Sequence, residues 1–235
     1  MGQVRASAVS AYPNGKVKYI VDIAAPKLKH LEAQFNCKVL SFDESDQALN
    51  DPEVNAVIIA TTSSSHCELI TKSLTAGKHV FCEKPLALTY GDTQTCVDLA
   101  AKSNLALYCG FQRRSDVHFR RARELIRAAG DVHQIRVTSR EPGGHSDLAY
   151  LLSSGGFLYD SVIHDIDMVR WLAGAEPIEV FCNGTAHNAQ LREVGDIDSV
   201  VLVLRFASGI IATIDNHRHA STSCKSAGCT QWDLC

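Results

Sequence analysis

Three residues have the type and spacing needed to take a proton from a hydroxyl group. Asp160 and His164 stand four apart in the run Gly155-Gly156-Phe157-Leu158-Tyr159-Asp160-Ser161-Val162-Ile163-His164-Asp165-Ile166-Asp167. On a helix that spacing puts both on one face. The carboxylate then orients the imidazole and steadies its charged form. Imidazole is the side chain best matched to accepting a proton near neutral pH. Lys84 lies in Glu83-Lys84-Pro85-Leu86-Ala87, directly after the strand run His79-Val80-Phe81-Cys82. At the C-terminal end of a parallel strand it stands on the rim where such sheets bind ligands. An ammonium group there hydrogen-bonds a hydroxyl and favours alkoxide development. Each motif alone has a plainer account: an Asp–His pair as a surface pair or cap, Lys-Pro as a turn. Glu83 either orients Lys84 or packs at the strand end. Ser161, Gln112 and Arg113 are candidates for lining a substrate pocket. Asp165 and Asp167 are catalytic candidates by proximity alone. Asp167 falls on another helix face from Asp160 and reads as structural or solvated. Arg114, Arg120, Arg121 and Arg123 read as a solvated helix face.

A second group of residues concerns phosphate and ribose. Dinucleotide folds place G-x-G-x-x-G between the first strand and first helix, so that backbone N–H groups approach the pyrophosphate. No G-x-G occurs in this chain. Gly2 nevertheless opens a helix, and Asp22 ends the next strand twenty residues later. That is the distance expected between the fingerprint and the acid that binds the ribose hydroxyls. Gly2 therefore aligns with the fingerprint's last glycine, and the first strand and first two glycines are expected to be missing. An Asp at this position favours NAD over NADP, because it repels a 2′-phosphate. Thr61, Ser63 and His66 follow a buried strand run and are candidates for the nicotinamide ribose. Helix capping by Ser64 or Ser65 is the alternative for that cluster.

The elements that must hold these residues alternate through the first half. Helices are predicted over 3–12, 26–35, 44–50, 66–76 and 90–102. Strands are predicted over 16–22, 38–40, 54–61, 79–82 and 105–111. Val54 to Thr61 is continuously apolar apart from Asn55, as expected for a parallel strand buried on both faces. This rhythm predicts a doubly wound parallel sheet. From about residue 112 the pattern changes: a helix over 117–129, a strand over 133–139, a Gly143-Gly144 loop and a helix over 156–172. Strands then follow one another over 178–184, 199–206 and 210–216, the last two joined by Ala207-Ser208-Gly209. The expected fold is α/β: an incomplete Rossmann-type parallel sheet over 1–111, then an α+β domain over 112–220 with a mainly antiparallel open sheet. Residues 221–235 carry neither period and read as a divergent tail.

The strings Glu83-Lys84-Pro85 and Asp160-x-x-x-His164-Asp165, with Gly110-Phe111-Gln112-Arg113-Arg114, resemble the glucose–fructose oxidoreductase/inositol dehydrogenase (Gfo/Idh/MocA) family. The resemblance covers about residues 2 to 220. It implies a dehydrogenase oxidising a ring secondary alcohol of a cyclic polyol or sugar, such as C2 of myo-inositol, to a ketone, with NAD as hydride acceptor. It further implies His164 as general base, with Lys84 and Asp160 assisting at the same carbinol carbon. Glu83 and Lys84 also join Gly2, Asp22, Thr61, Ser63 and His66 as residues toward the cofactor. The family's length implies that about a hundred residues are absent at the far end. Loss of the central first strand would leave inner strand edges unpaired, at about 1–3 kcal/mol for each orphaned backbone group. The expectation is weak NAD affinity, above ~100 µM. The rival reading is an inactive isoform acting by association with longer subunits. A sugar oxidoreductase holding NADP is disfavoured by Asp22.

Composition narrows the setting. The chain has 235 residues, 46% of them hydrophobic, with 23 Lys+Arg against 26 Asp+Glu and a net charge of −3. That supports a packed core and offers no basic field for nucleic acid or anionic membrane. No apolar run is long enough to span a bilayer, and the N-terminus lacks the apolar core of a secretory signal. Nine cysteines without a C-x-x-C pair fit a reducing cytosol rather than a disulfide framework. Cys224, Cys229 and Cys235 match no familiar zinc spacing, and no metal is expected. The expected partner is a small polyol or sugar, with homo-oligomers in longer relatives.

Overall fold

A computed structural model describes residues 1–130, 132–142 and 148–220. The chain divides into two compact units, Met1–Gly110 and the residues from Phe111 onward. The predicted 221–235 tail and the Gly143-Gly144 loop lie outside the described residues.

The first unit runs α1 (Gly2–Ala11), β1 (Tyr19–Asp22), α2 (Ala25–Leu28), α3 (His30–Phe35), β2 (Lys38–Ser41), α4 (Ser45–Leu49), β3 (Ala56–Ile59), α5 (His66–Thr75), β4 (His79–Cys82), α6 (Tyr90–Lys102) and β5 (Leu107–Cys109). All of its strand pairings are parallel: β1 with β2, β3 with β4, and β4 with β5. Among the described residues these form two sheets, β1-β2 and β3-β4-β5. The three-stranded sheet buries Ile59, Val80 and Cys82 against Ile70 and Leu74 of α5 and Cys96 and Ala100 of α6. Each large aliphatic side chain buried in this way contributes about 1.5–3 kcal/mol. Helix α6 begins where its cap dictates: the Thr89 hydroxyl accepts from the Asp92 backbone N–H at 3.0 Å. The single helix expected over 26–35 is interrupted at Lys29, whose ammonium folds back to the Val39 carbonyl at 2.8 Å.

The second unit runs α7 (Val117–Ala129), β6 (Gln134–Pro142), α8 (Leu148–Ser153), a π-helical turn (Leu158–Val162), α9 (Ile163–Ala173), β7 (Pro177–Thr185), α10 (Ala189–Glu193), β8 (Ser199–Phe206) and β9 (Ile211–Ala220). Asp116 caps α7, its carboxylate accepting from the N–H groups of His118 and Phe119. The sheet order is β6-β9-β8-β7. The pairs β7–β8 and β8–β9 are antiparallel as expected, but β6 runs parallel to β9, so the sheet is mixed. Alternation along β6 predicts a strand but carries no information about its direction relative to a partner far along the chain. One sheet face buries Val200, Leu202, Leu204 and Phe206 of β8 with Ala212 and Ile214 of β9 against Met168, Val169 and Leu172 of α9. The opposite face exposes Phe181, Val201 and Ile211. No described helix is long and apolar enough to cross a membrane.

Candidate active site

Strand β9 explains the polar cluster of the second unit. Its inward positions are Ala212, Ile214, Asn216 and Arg218, all essentially buried. The first two extend the core. The last two set an amide and a guanidinium beside the π-helical turn. Arg218 donates from Nη2 to Asp160 Oδ2 at 2.7 Å, and its Nε lies 3.3 Å from Glu141 Oε2. Its guanidinium lies over the Phe157 ring at 5.0 Å. Tyr150 donates its hydroxyl to Asp160 Oδ1 at 3.1 Å. Burial, reinforced by the Asp160 carboxylate, raises the Tyr150 pKa above its ordinary value. Asp160 is only 9% exposed, and an unpaired carboxylate there would be costly. Arg218 and Tyr150 supply its compensation.

The turn itself is widened. The Ile163 N–H reaches back five residues to the Leu158 carbonyl before α9 begins, a geometry concentrated at functional sites. Asp160 therefore sits in the π turn and His164 in the first turn of α9, rather than both on one regular helix face. His164 is half-buried, with its ring edge-on to that of Phe111 at 6.2 Å.

Several expectations need correction. Arg113 is tied to the scaffold: its guanidinium donates to Asp165 at 2.5 Å and its side chain is 23% exposed. Ser161 is 7% exposed, donates to Glu141 Oε1 at 2.5 Å and accepts from Asn216 at 3.2 Å. Asp165 is fully buried and also takes Ser139 at 2.8 Å and Asn216 at 2.7 Å, so it holds the scaffold together. Asp167 is structural, not solvated: it receives two hydrogen bonds from Arg114, at 2.9 and 2.6 Å. Nor are Arg114 and Arg123 part of a solvated face, since Arg123 stacks over Trp171 at 4.4 Å. Gln112 is exposed. The residues missed in the sequence are Arg218, Asn216, Glu141 and Tyr150. The one available signal was β9's inward parity, which passes from apolar to polar at Asn216.

The first unit presents its own rim. Lys84 follows β4 and is half-buried. Glu83 accepts from Arg5 of α1 at 2.6 Å, which ties it to that helix rather than to packing alone. Gly110 packs closely beside it: a Cβ there would stand 2.9 Å from Glu83 Oε2 and 3.2 Å from Glu83 Cα. His66 is 1% exposed, with Nδ1 2.6 Å from the Pro85 carbonyl and Nε2 3.3 Å from the Thr61 carbonyl. It braces two rim loops from within, a position that does not suit direct contact with a ribose. Thr61 is exposed and its hydroxyl meets that of Ser65 at 2.8 Å; Ser63 is half-buried. Neither Ser64 nor Ser65 caps α5 through its side chain.

Asp22 ends β1 and uses Oδ1 to accept from the Ala24 N–H at 2.7 Å. Gly2 opens the ten-residue α1, whose N-terminus carries no side-chain cap. A Cβ at Gly2 would meet nothing within 4 Å, so packing within the chain does not demand glycine there. An uncapped helix N-terminus suits phosphate, and a strand-end carboxylate suits ribose hydroxyls. These residues therefore fit the part of a dinucleotide that they would hold.

Comparison with known proteins agrees with this arrangement. Residues 1–111 match the family described as "Oxidoreductase family, NAD-binding Rossmann fold", and residues 119–228 match the "GFO/IDH/MocA C-terminal domain". The chain is 33% identical to the myo-inositol 2-dehydrogenase of Thermotoga maritima, over 94% of this chain and 66% of that protein. It is also 33% identical to the inositol 2-dehydrogenase of Rhizobium meliloti, over 94% of this chain and 67% of that protein. Its fold superposes on the scyllo-inositol dehydrogenase of Lactobacillus casei with bound NAD(H) and scyllo-inositol, with a TM-score of 0.82 at 26% identity, over 94% of this chain and 67% of that one. The chain thus spans about two thirds of the length of the relatives it matches. Two successive domain matches, a parallel-stranded first unit and a mixed-sheet second unit in the same order identify the chain as a member of the Gfo/Idh/MocA family of oxidoreductases.

Proposed function

We propose that the chain represents an NAD-dependent dehydrogenase of cyclic polyols, oxidising a ring secondary alcohol such as C2 of an inositol to the ketone. The observation that supports this most is the buttressed carboxylate of Asp160, nine-tenths buried on a π-helical turn and followed four residues later by a half-buried imidazole. Bound NAD supplies the acceptor for the hydride leaving the carbinol carbon. His164 is assigned the hydroxyl proton, because a half-buried imidazole can take it near neutral pH. Lys84, on the rim of the first unit, is assigned a hydrogen bond to a substrate hydroxyl, where an ammonium favours developing negative charge. Asp160 is held in a fixed position by Arg218 and Tyr150. Asp22 and Gly2 are assigned to the adenosine ribose and the phosphates. The Asp22 carboxylate, which repels a 2′-phosphate, supports NAD over a 2′-phosphorylated cofactor.

The test is NADH formation from myo- and scyllo-inositol by the chain and by His164→Gln and Lys84→Met. Turnover lost in both variants, with folding intact by circular dichroism, supports the roles. Turnover unchanged in His164→Gln rejects its assignment as base.

A second reading rests on the exposed apolar face of β7 and β8, with Phe181 63% and Val201 46% exposed. On this reading the chain acts by pairing through that face with longer subunits. Co-purification with a longer relative, without turnover, would favour it.

A further inference from the structure

We infer that His187, Asp198 and His217 form a site for a divalent first-row transition ion of the zinc type, clipping the loop before α10 to the edge of strands β8 and β9. The sequence gives no sign of it, because the residues are far apart and match no metal-ligand spacing. The fold brings them together. Asp198 stands immediately before β8, and the β8–β9 register sets Ser199 opposite His217. The segment between β7 and α10 then returns His187 to the same corner. One ligand atom from each residue lies within 4.8 Å of the others.

The local chemistry suits a cation. Asp198 is fully buried, and both its oxygens are oriented by backbone donors: His187 N at 3.0 Å to each, and Asn188 N at 2.8 Å to Oδ2. A ligating carboxylate fixed by outer donors is what tight metal sites require. His187 Nδ1 lies 3.0 Å from Asp198 Oδ1. Zinc bonds of about 2.0–2.2 Å put neighbouring ligand atoms roughly 3–3.5 Å apart, so this pair already has the needed separation. The His217 ring places Nδ1 3.3 Å from the Asp198 backbone carbonyl. The two rings meet edge to face at 5.7 Å. The His187 side chain is 63% exposed, which gives an ion a route in and the ring freedom to close on it. Two imidazoles and one carboxylate select a Zn²⁺-like ion over Mg²⁺ or Ca²⁺, and leave a coordination position for water.

The inference is independent of the dehydrogenase reading, since none of the three residues is assigned to it. The test is optical titration of the whole chain with Co²⁺, followed by displacement with Zn²⁺ and by thermal melts. The expected result is one equivalent of Co²⁺ showing nitrogen and oxygen ligation without a thiolate charge-transfer band, and a melting temperature raised by Zn²⁺. Affinity should fall at least about tenfold in His187→Gln and in His217→Gln. His187 is exposed, so its variant keeps the fold, which circular dichroism checks. Co²⁺ uptake only with thiolate bands would overturn the site in favour of cysteine ligation. Equal affinity in His187→Gln would reduce the corner to a hydrogen-bonded pair.

Discussion

Among individual residues, Arg218 carries the sharpest consequence. It is 1% exposed and neutralises Asp160 in a site that water does not reach freely. Arg218→Met keeps much of the volume but strands the carboxylate, so a loss of about 3–5 kcal/mol is expected from urea unfolding. Arg218→Lys should recover only part of it, because an ammonium lacks the planar fork. Asp51 yields a pH prediction. The Lys18 ammonium at 2.6 Å and the Tyr19 hydroxyl at 2.8 Å hold its pKa down to about 2, from the ordinary 3.8. A depressed acid stabilises the fold above its unfolded value and loses that contribution as pH falls through the folded value. Asp51→Asn should therefore melt below the wild type at pH 6, and the gap should close as pH falls from about 4 to 2. A gap independent of pH would show that the Lys18–Asp51 attraction is not its source.

The elements show how much of the fold was legible beforehand. Strands β4 and β8 and helices α6 and α7 have the expected bounds. Each has a clear period or a side-chain cap, as at Thr89 and Asp116. Helix α8 was missed because Leu148-Ala149-Tyr150-Leu151-Leu152-Ser153 is a short apolar run with no polar face to mark a period. Helix α10 was missed because five residues are too few to show one. The hydrophobic pattern reads the π turn as ordinary helix, since an extra residue within a turn leaves no mark in it. The candidate site divides in the same way. Asp160, His164 and Lys84 are visible as motifs, whereas Arg218, Glu141 and Asn216 reach the site by strand pairing across long separations. Entry to the π turn depends on Gly156, which has φ +83° and whose Cβ would stand 2.9 Å from the Asp196 carboxylate. Gly156→Ala should cost about 1–3 kcal/mol in urea unfolding, through strained backbone and a displaced Asp196. A loss below that range would mean the Asp196 side chain simply moves aside.

Over the whole molecule, burial sorts the described cysteines. Cys82 and Cys96 are fully buried, and burial pushes Cys96 up to about 12 and Cys82 higher still. Cys182 is exposed on β7. Thiolate, not thiol, reacts with alkylating agents. Iodoacetamide at pH 8 should therefore label Cys182 early and leave Cys82 and Cys96 until urea is added, as read by peptide mass spectrometry. Early labelling of Cys96 would show that the α5–α6 packing opens in solution. The sheet of the second unit has a further consequence through its order. Strand β6 lies at one edge, and among the described strands its one neighbour is β9. Its register joins Gln134 to Ile211, so the partner is encoded far downstream. At a translation speed of about 5–20 residues per second, a ribosome needs roughly 4–15 s between making the first strand and making the second. Once outside the tunnel, the nascent Ile135 and Val137 wait a comparable time with no hydrogen-bonded ladder to join, which leaves this apolar stretch open to non-native contacts during synthesis.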